Sequence, residues 1–381
     1  MSTSSVVHTD RYVPRIAYPL KVAYDAKALI EADYGTGKGA QLRTLLGTVG
    51  HLFTGLAPSG PSNTSLPLIQ RGTPRYLVWQ QTSLPRLLAE IKPDIFLAPY
   101  NTAPLIIPKK TKLLAVVHDL ILLESVTGAS VNRRLRDAYR GMLLRQAIRR
   151  ASLILTVSKY TADQVKLRYP ESNLRVIHCT VGPSWFIRDR VVPSQQRARY
   201  ILIVTGNVAH KNVPRALRAF ARYKALDPRS NIMLRMAGVS SSSAFFESMA
   251  DDLGIRDSLI VEPFLSEMEL QSLYRHALCV LVPSLMEGFG IPVLEAMASG
   301  TPLVSSNTWS LPEVGGNVPL YFDPTNVEEM AQRLFDVCAN AALRARLSMD
   351  GIERAEMFHP DRIQVEVEAF WRELPALYAR F

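Results

Sequence analysis

PSLMEGFGIPVLEAMASG, residues 283–300, holds a strand end, a glycine loop and a helix start in one short stretch. The apolar run 278–282 reads as a buried strand stopping at Pro283, and Pro292 sits where a helix tolerates proline best, in its first turn. Between them, Gly288 and Gly290 leave the main chain bare enough for a ligand to approach closely. The free N–H groups and dipole of the helix start favour an anion there, a diphosphate for example. Glu287 in the loop and Glu295, expected in the first helical turn, lie eight residues apart, and each can accept hydrogen bonds from hydroxyls. A polyhydroxylated molecule carrying an anionic group suits both features. Local physics equally allows a structural reading, with Glu295 as a favourable charge near a helix N-terminus and the glycines as turn residues.

Outward from this stretch, short apolar runs alternate with longer amphipathic segments, the pattern of βα units around parallel sheets buried on both faces. One series has strands at 22–24, 95–98, 113–117 and 153–157, with helices at 41–50, 85–90, 133–150 and 161–168. A second has strands at 200–204, 231–236, 258–262, 278–282 and 302–305, with helices at 214–224, 267–276 and 292–298. Between them, 181–199 carries Gly182, Pro183 and Pro193 and reads as a linker. From 327 onward the chain reads as helical, broken near 358–360. At 381 residues two domains are expected. The fold class is α/β, two Rossmann-like doubly wound domains with an interdomain cleft: 1–185, 186–365, and a last helix, 366–381, that can cross back to the first. Ligands of such sheets bind beyond the carboxyl ends of the strands.

With 48% hydrophobic and 20% charged residues the chain is expected to be globular, and its longest apolar runs, such as 201–204 and 277–283, fall far short of the roughly 18 residues a membrane span needs. The polar start, residues 1–9, lacks a signal-peptide core, and Cys179, Cys279 and Cys338 form no CxxC pair, so a cytoplasmic location with reduced thiols is expected. Residues 1–180 hold 24 Lys and Arg against 11 Asp and Glu, whereas the remainder holds 20 against 23. The basic half implies a face toward something anionic, or simply a solvated surface. Its densest part, 131–150, interleaves Arg133, Arg134, Arg136, Arg140, Arg145, Arg149 and Arg150 with apolar residues. Such a helix can lie on an acidic membrane surface or pack its leucine face on a sheet.

The segment EGFGIPVLEAMASGTPLVSSNTWSLPEV, 287–314, resembles the signature of the retaining glycosyltransferases of family 4, two-domain enzymes of the GT-B fold. YGTGKGAQL, KPDIFLAP, LLAVVHDLI, ILTVSKYTADQV, GNVAHKN and LSEMELQSLYRHA extend the resemblance over most of the chain. It implies transfer of a sugar from a nucleotide diphosphate sugar to an acceptor hydroxyl, with retention, without metal and without a cofactor. It implies that Glu287, His118 and Lys211 act at the reacting sugar and diphosphate. Glu295 is implied at the ribose, with Gly288, Phe289, Gly290, Ile291, Gly206, Gly35 and Gly37 contacting the donor. Lys211 would neutralise charge on the departing diphosphate. GDP-mannose is the first expectation for the donor, with UDP-sugars open. A saccharide acceptor, lipid-linked at an anionic membrane face in surface polysaccharide synthesis, is expected as partner.

The chain departs from the family in places. Gly206 stands where many members carry an arginine, CTVG (179–182) replaces Asn-Gly, and Pro263 replaces a glycine. Lys38 does not make a Walker loop, since Ala32 and Gly39 occupy the positions that need Gly and Ser or Thr. A nucleotide-sugar epimerase of the same architecture is the second reading, although EGFG does not resemble that class. A dehydrogenase lacks its GxGxxG, and no nucleic-acid recognition motif accompanies the basic half.

Overall fold

Apolar runs of three to six residues, followed by amphipathic helices, build two wholly parallel sheets in this computed structural model. It describes residues 18–30, 37–62, 64–124, 131–186, 188, 192–193, 196–206, 208–239, 243–263 and 265–381, without the side chains of 37–38, 131–133 and 243. The first sheet comprises β1 (Val22–Asp25), β2 (Thr54–Ala57), β3 (Leu68–Gln70), β4 (Ile95–Ala98), β5 (Lys112–Val117), β6 (Leu153–Thr156) and β7 (Leu174–Val176), in the order β3-β2-β1-β4-β5-β6-β7. Its helices are α1 (Gly37–Leu46), α2 (Tyr76–Ile91), α3 (Val131–Arg150) and α4 (Lys159–Arg168). The second sheet, β10-β9-β8-β11-β12-β13, comprises β8 (Tyr200–Val204), β9 (Met233–Ala237), β10 (Leu259–Val261), β11 (Cys279–Val282), β12 (Leu303–Ser306) and β13 (Leu320–Phe322). Around it lie α5 (Val213–Leu226), α6 (Ser243–Asp252), α7 (Glu267–His276), α8 (Ile291–Ala298), α9 (Leu311–Gly315), α10 (Val327–Ala339) and α11 (Ala341–Ala355). Strand order reverses between β1 and β4 and again between β8 and β11, so each sheet opens a crevice at those carboxyl ends.

The last helix, α12 (Pro360–Tyr378), buries Ile363, Val367, Phe370, Trp371 and Leu374 in the core of the first sheet. The Trp371 indole N–H donates to the Leu45 carbonyl at 2.6 Å, and its ring meets Phe53 at 4.7 Å. Removing such a buried aromatic costs about 3–5 kcal/mol, enough to make the chain's end part of the first domain's stability. The helix begins at Pro360, ahead of the expected 366.

Four strands escape the apolar pattern: β2, β3, β7 and β13. Three are edges only partly buried, and β2 contains Gly55. Pro85 does not open a helix; it lies inside α2, which starts nine residues earlier at Tyr76. Along α3, Leu143, Leu144, Ala147 and Ile148 are buried, while Leu135, Tyr139 and Met142 remain exposed on one helical face.

Candidate active site in the interdomain cleft

The β11–α8 loop presents Glu287, and the turn after β8, Ala209–Lys211, presents Lys211. Lys211 Nζ donates to Glu287 Oε1 at 2.6 Å, and Ser284 Oγ donates to the same oxygen at 2.7 Å. The pair is largely buried, with side chains 19% and 12% exposed, so its charges act with little screening from water. Both line a cavity of ≈ 570 Å³ between the sheets, with His118, Asp119, Gly288, Phe289, Gly290 and Ile291. Gly290 is the left-handed N-cap residue of α8, φ 102°, and the helix follows at Ile291. A cation, a carboxylate and bare helix-start amides thus face one sugar-sized space.

Gly288 lines the cavity and also serves the other domain: a Cβ on it would collide with the His118 carbonyl, and its own carbonyl accepts from Ser158 Oγ at 2.7 Å. Its missing side chain therefore lets the two domains touch. Glu295 is the fifth residue of α8, one turn beyond the expected first turn, and does not line the cavity. Tyr274 OH donates to its Oε2 at 2.6 Å. Burial pushes its carboxyl up to about 7, against the opposing effects of the Tyr274 hydrogen bond and the Lys211 charge. Phe289 is 4% exposed and packs against Phe358 at 5.5 Å, so its ring belongs mainly to the core.

His118 follows β5. Its Nε2 lies 2.7 Å from the Pro99 carbonyl, which can only accept, so Nε2 carries a proton. The His118 amide donates to Asn101 Oδ1 at 2.6 Å, fixing the loop. Gly206 lies between β8 and the Ala209–Lys211 turn and does not line the cavity, and Gly37 opens α1. Gly35, and the side chains of Lys38 and Arg133, lie outside the described residues.

The sequence did not single out the first-domain wall: Lys27, Tyr76, Tyr100 and Thr102. Below it Asp25, at the end of β1, accepts from Tyr76 OH at 2.8 Å and from the Lys27 amide at 3.1 Å. Burial pushes the Asp25 carboxyl up to about 7 despite both bonds. A carboxylate closing an otherwise apolar strand, VAYD, was the available signal. Glu313 was also passed over within SLPEV. Its carboxylate crosses the cleft to accept from the Lys159 and Tyr160 amides at 2.8 and 2.9 Å, at the start of α4, and meets His178 Nε2 at 2.9 Å. These donors hold Glu313 below the usual carboxylate range against its burial.

Two parallel α/β domains that close on a cleft lined by a loop-borne Lys–Glu pair define a GT-B architecture. The family model for glycosyl transferases group 1 matches residues 187–354, and that for glycosyltransferase family 4 matches 47–185. The chain belongs to the family 4 glycosyltransferases of the GT-B fold. It is 30% identical to the O-antigen chain mannosyltransferase RfbU of Salmonella typhimurium over 50% of this chain and 52% of that protein. It is also 30% identical to the MMP alpha-(1->4)-mannosyltransferase of Mycolicibacterium hassiacum, over 59% of this chain and 55% of that one. The matched stretch thus spans about half the length of these curated relatives. Among solved structures, sucrose-phosphate synthase from Thermosynechococcus elongatus superposes with TM-score 0.72 at 18% identity, covering 93% of this chain and 99% of that one. WaaG, a glycosyltransferase involved in lipopolysaccharide biosynthesis, superposes with TM-score 0.68 at 16% identity over 90% and 99%. At these identities the structures speak for the fold.

Proposed function

We propose that the chain transfers a hexose, mannose first, from a nucleotide diphosphate sugar to a hydroxyl of a saccharide acceptor, with retention of anomeric configuration. The Lys211–Glu287 pair beside the α8 amides, on the wall of one interdomain cavity, carries this reading. Lys211 and the amides would hold the diphosphate, and Glu287 the sugar hydroxyls. As the diphosphate departs, its charge grows, and Lys211 can turn from Glu287 toward it. Retention through a glycosyl-enzyme would need a carboxylate free to attack. Glu287 is held by Lys211 and Ser284, so the proposed route is front-face: the bond from the anomeric carbon to the phosphate oxygen breaks, the acceptor oxygen bonds on the same face, and the leaving phosphate takes its proton. No side chain is assigned as base. His118 would bind the donor sugar.

The mannosyltransferase names of the relatives support mannose, and one of them names O-antigen chains, which supports a role in surface polysaccharide synthesis. A lipid-linked acceptor would bring the chain to an anionic membrane face. Supporting this, α3 leaves Leu135 66% exposed between Arg134 and Arg136, and among the described residues no helix is long and apolar enough to span a bilayer. Flotation with anionic vesicles tests the peripheral attachment: it should occur at low salt and reverse at high salt. A thermal-shift panel of nucleotide sugars tests the donor. GDP-mannose should raise the melting temperature most, by mass action on the folded state. Absence of a shift with every nucleotide sugar would defeat the reading.

A further inference from the structure

Arg140, on α3, lines the donor cavity together with Lys211 and His118, and it also lines a second cavity of ≈ 400 Å³ beside it. The second cavity's basic residues are Arg134, Arg136 and Arg140 from α3, joined by His210 from the turn after β8. Its carboxylates are Glu124 and Asp137. Glu124 is committed to Arg168, at 2.7 Å, and Asp137 stands 4.0 Å from Arg136. Among the described residues neither Arg134 nor Arg140 makes an ion pair. Guanidinium groups gathered around one concave space, with too few carboxylates to satisfy them, fit the oxygens of a multiply charged anion.

We propose that this second cavity binds a phosphate or diphosphate carried by the acceptor, with Arg140 at the junction of the two cavities. This rests on the donor reading of the first cavity and deepens it. The donor's own diphosphate has Lys211 and the α8 amides, neither of which borders the second cavity. The anion there therefore arrives with the other substrate. The hydroxyl to be glycosylated then lies within about one sugar of the acceptor's phosphate. A plain glycan would bring no charge to match Arg134 and Arg140. Either a soluble sugar phosphate or a sugar linked through diphosphate to a lipid supplies this chemistry.

Protein saturated with GDP, its binding first established by thermal shift, is titrated calorimetrically with inorganic pyrophosphate. Wild type should bind it, and Arg134→Gln/Arg136→Gln, at exposed positions that leave the fold intact, should bind at least tenfold more weakly. Lys109→Gln/Lys110→Gln removes the same charge from the loop before β5 and should bind as wild type does. Titration with mannose 1-phosphate and with a short-chain prenyl diphosphate in micelles, against the matching prenol, distinguishes the sources: the tighter phosphorylated ligand names the natural one. Equal pyrophosphate binding by wild type and Arg134→Gln/Arg136→Gln, or equal weakening in the lysine control, would overturn the proposal. So would no binding at all. A missing GDP shift would instead remove the donor reading, and the arginine and lysine variants, titrated without GDP, would still decide the subsite.

Discussion

Replacing Glu295 by Gln removes an ionisable group that the fold holds against its preference. Burial raises its pKa from 4.5 to about 7, so the folded chain keeps the proton where the unfolded chain has released it. Stability contributed by the neutral form is complete below about pH 4.5 and is lost as pH rises toward about 7, above which the penalty is constant. At ~1.4 kcal/mol per pH unit the full displacement corresponds to roughly 3 kcal/mol, and partial exposure of the side chain reduces it to roughly 1–3 kcal/mol. The amide introduced by Glu295→Gln would still accept from Tyr274 and carry no charge. Urea unfolding should therefore show the variant level with wild type at the acid end and more stable by that amount near pH 8. If carboxylate oxygens hold the ribose, the same change weakens nucleotide binding at pH 8, whereas Glu287→Gln lowers turnover more than nucleotide affinity. A stability difference that stays constant from pH 4.5 to 8 would refute the burial argument.

Gly288→Ala forces a methyl group against the His118 carbonyl, so the domains must part; overpacking of this kind costs about 1–3 kcal/mol, and turnover should fall with a lower melting temperature. Glu313→Ala leaves the α4 amides and His178 without their acceptor and should cost about 1.5–3 kcal/mol, with a larger radius of gyration by X-ray scattering as the cleft opens. Because its donors hold Glu313 low, wild type should keep this contact above about pH 4.5 and lose it as pH falls below that, where the variant changes nothing. Turnover should survive EDTA, since the sequence carries no DxD motif and the proposed diphosphate site uses Lys211 and main-chain amides; loss restored by Mg²⁺ would contradict that.

The two sheets were legible because β1, β4 to β6, β8 and β11 are buried on both faces and so are almost continuously apolar. Edge strands such as β3 and β7 bury too little to mark themselves. Glu287 and Lys211 could be named from the loops that carry them, yet not their ion pair, which depends on how β8 and β11 lie side by side. That Gly288 also lets the first domain approach was not legible, because sequence shows that a Cβ is absent and not what fills the space. Asp25 and Glu313 bond across elements far apart in the chain, and Arg140 comes to the cavity walls only in the folded chain; helix packing and domain closure set these placements, which no local spacing records.

The most direct measurement is release of nucleoside diphosphate from nucleotide sugars, GDP-mannose first, by wild type and by Lys211→Gln. Each protein is first shown to be folded by its melting curve. Consumption of one nucleotide sugar by wild type, reduced about 10²–10³-fold in the variant, is predicted, since removal of a charge-stabilising donor costs about that much. Equal rates in the two folded proteins, or no nucleotide sugar consumed by either, would contradict a glycosyl-transfer site at the Lys211–Glu287 pair.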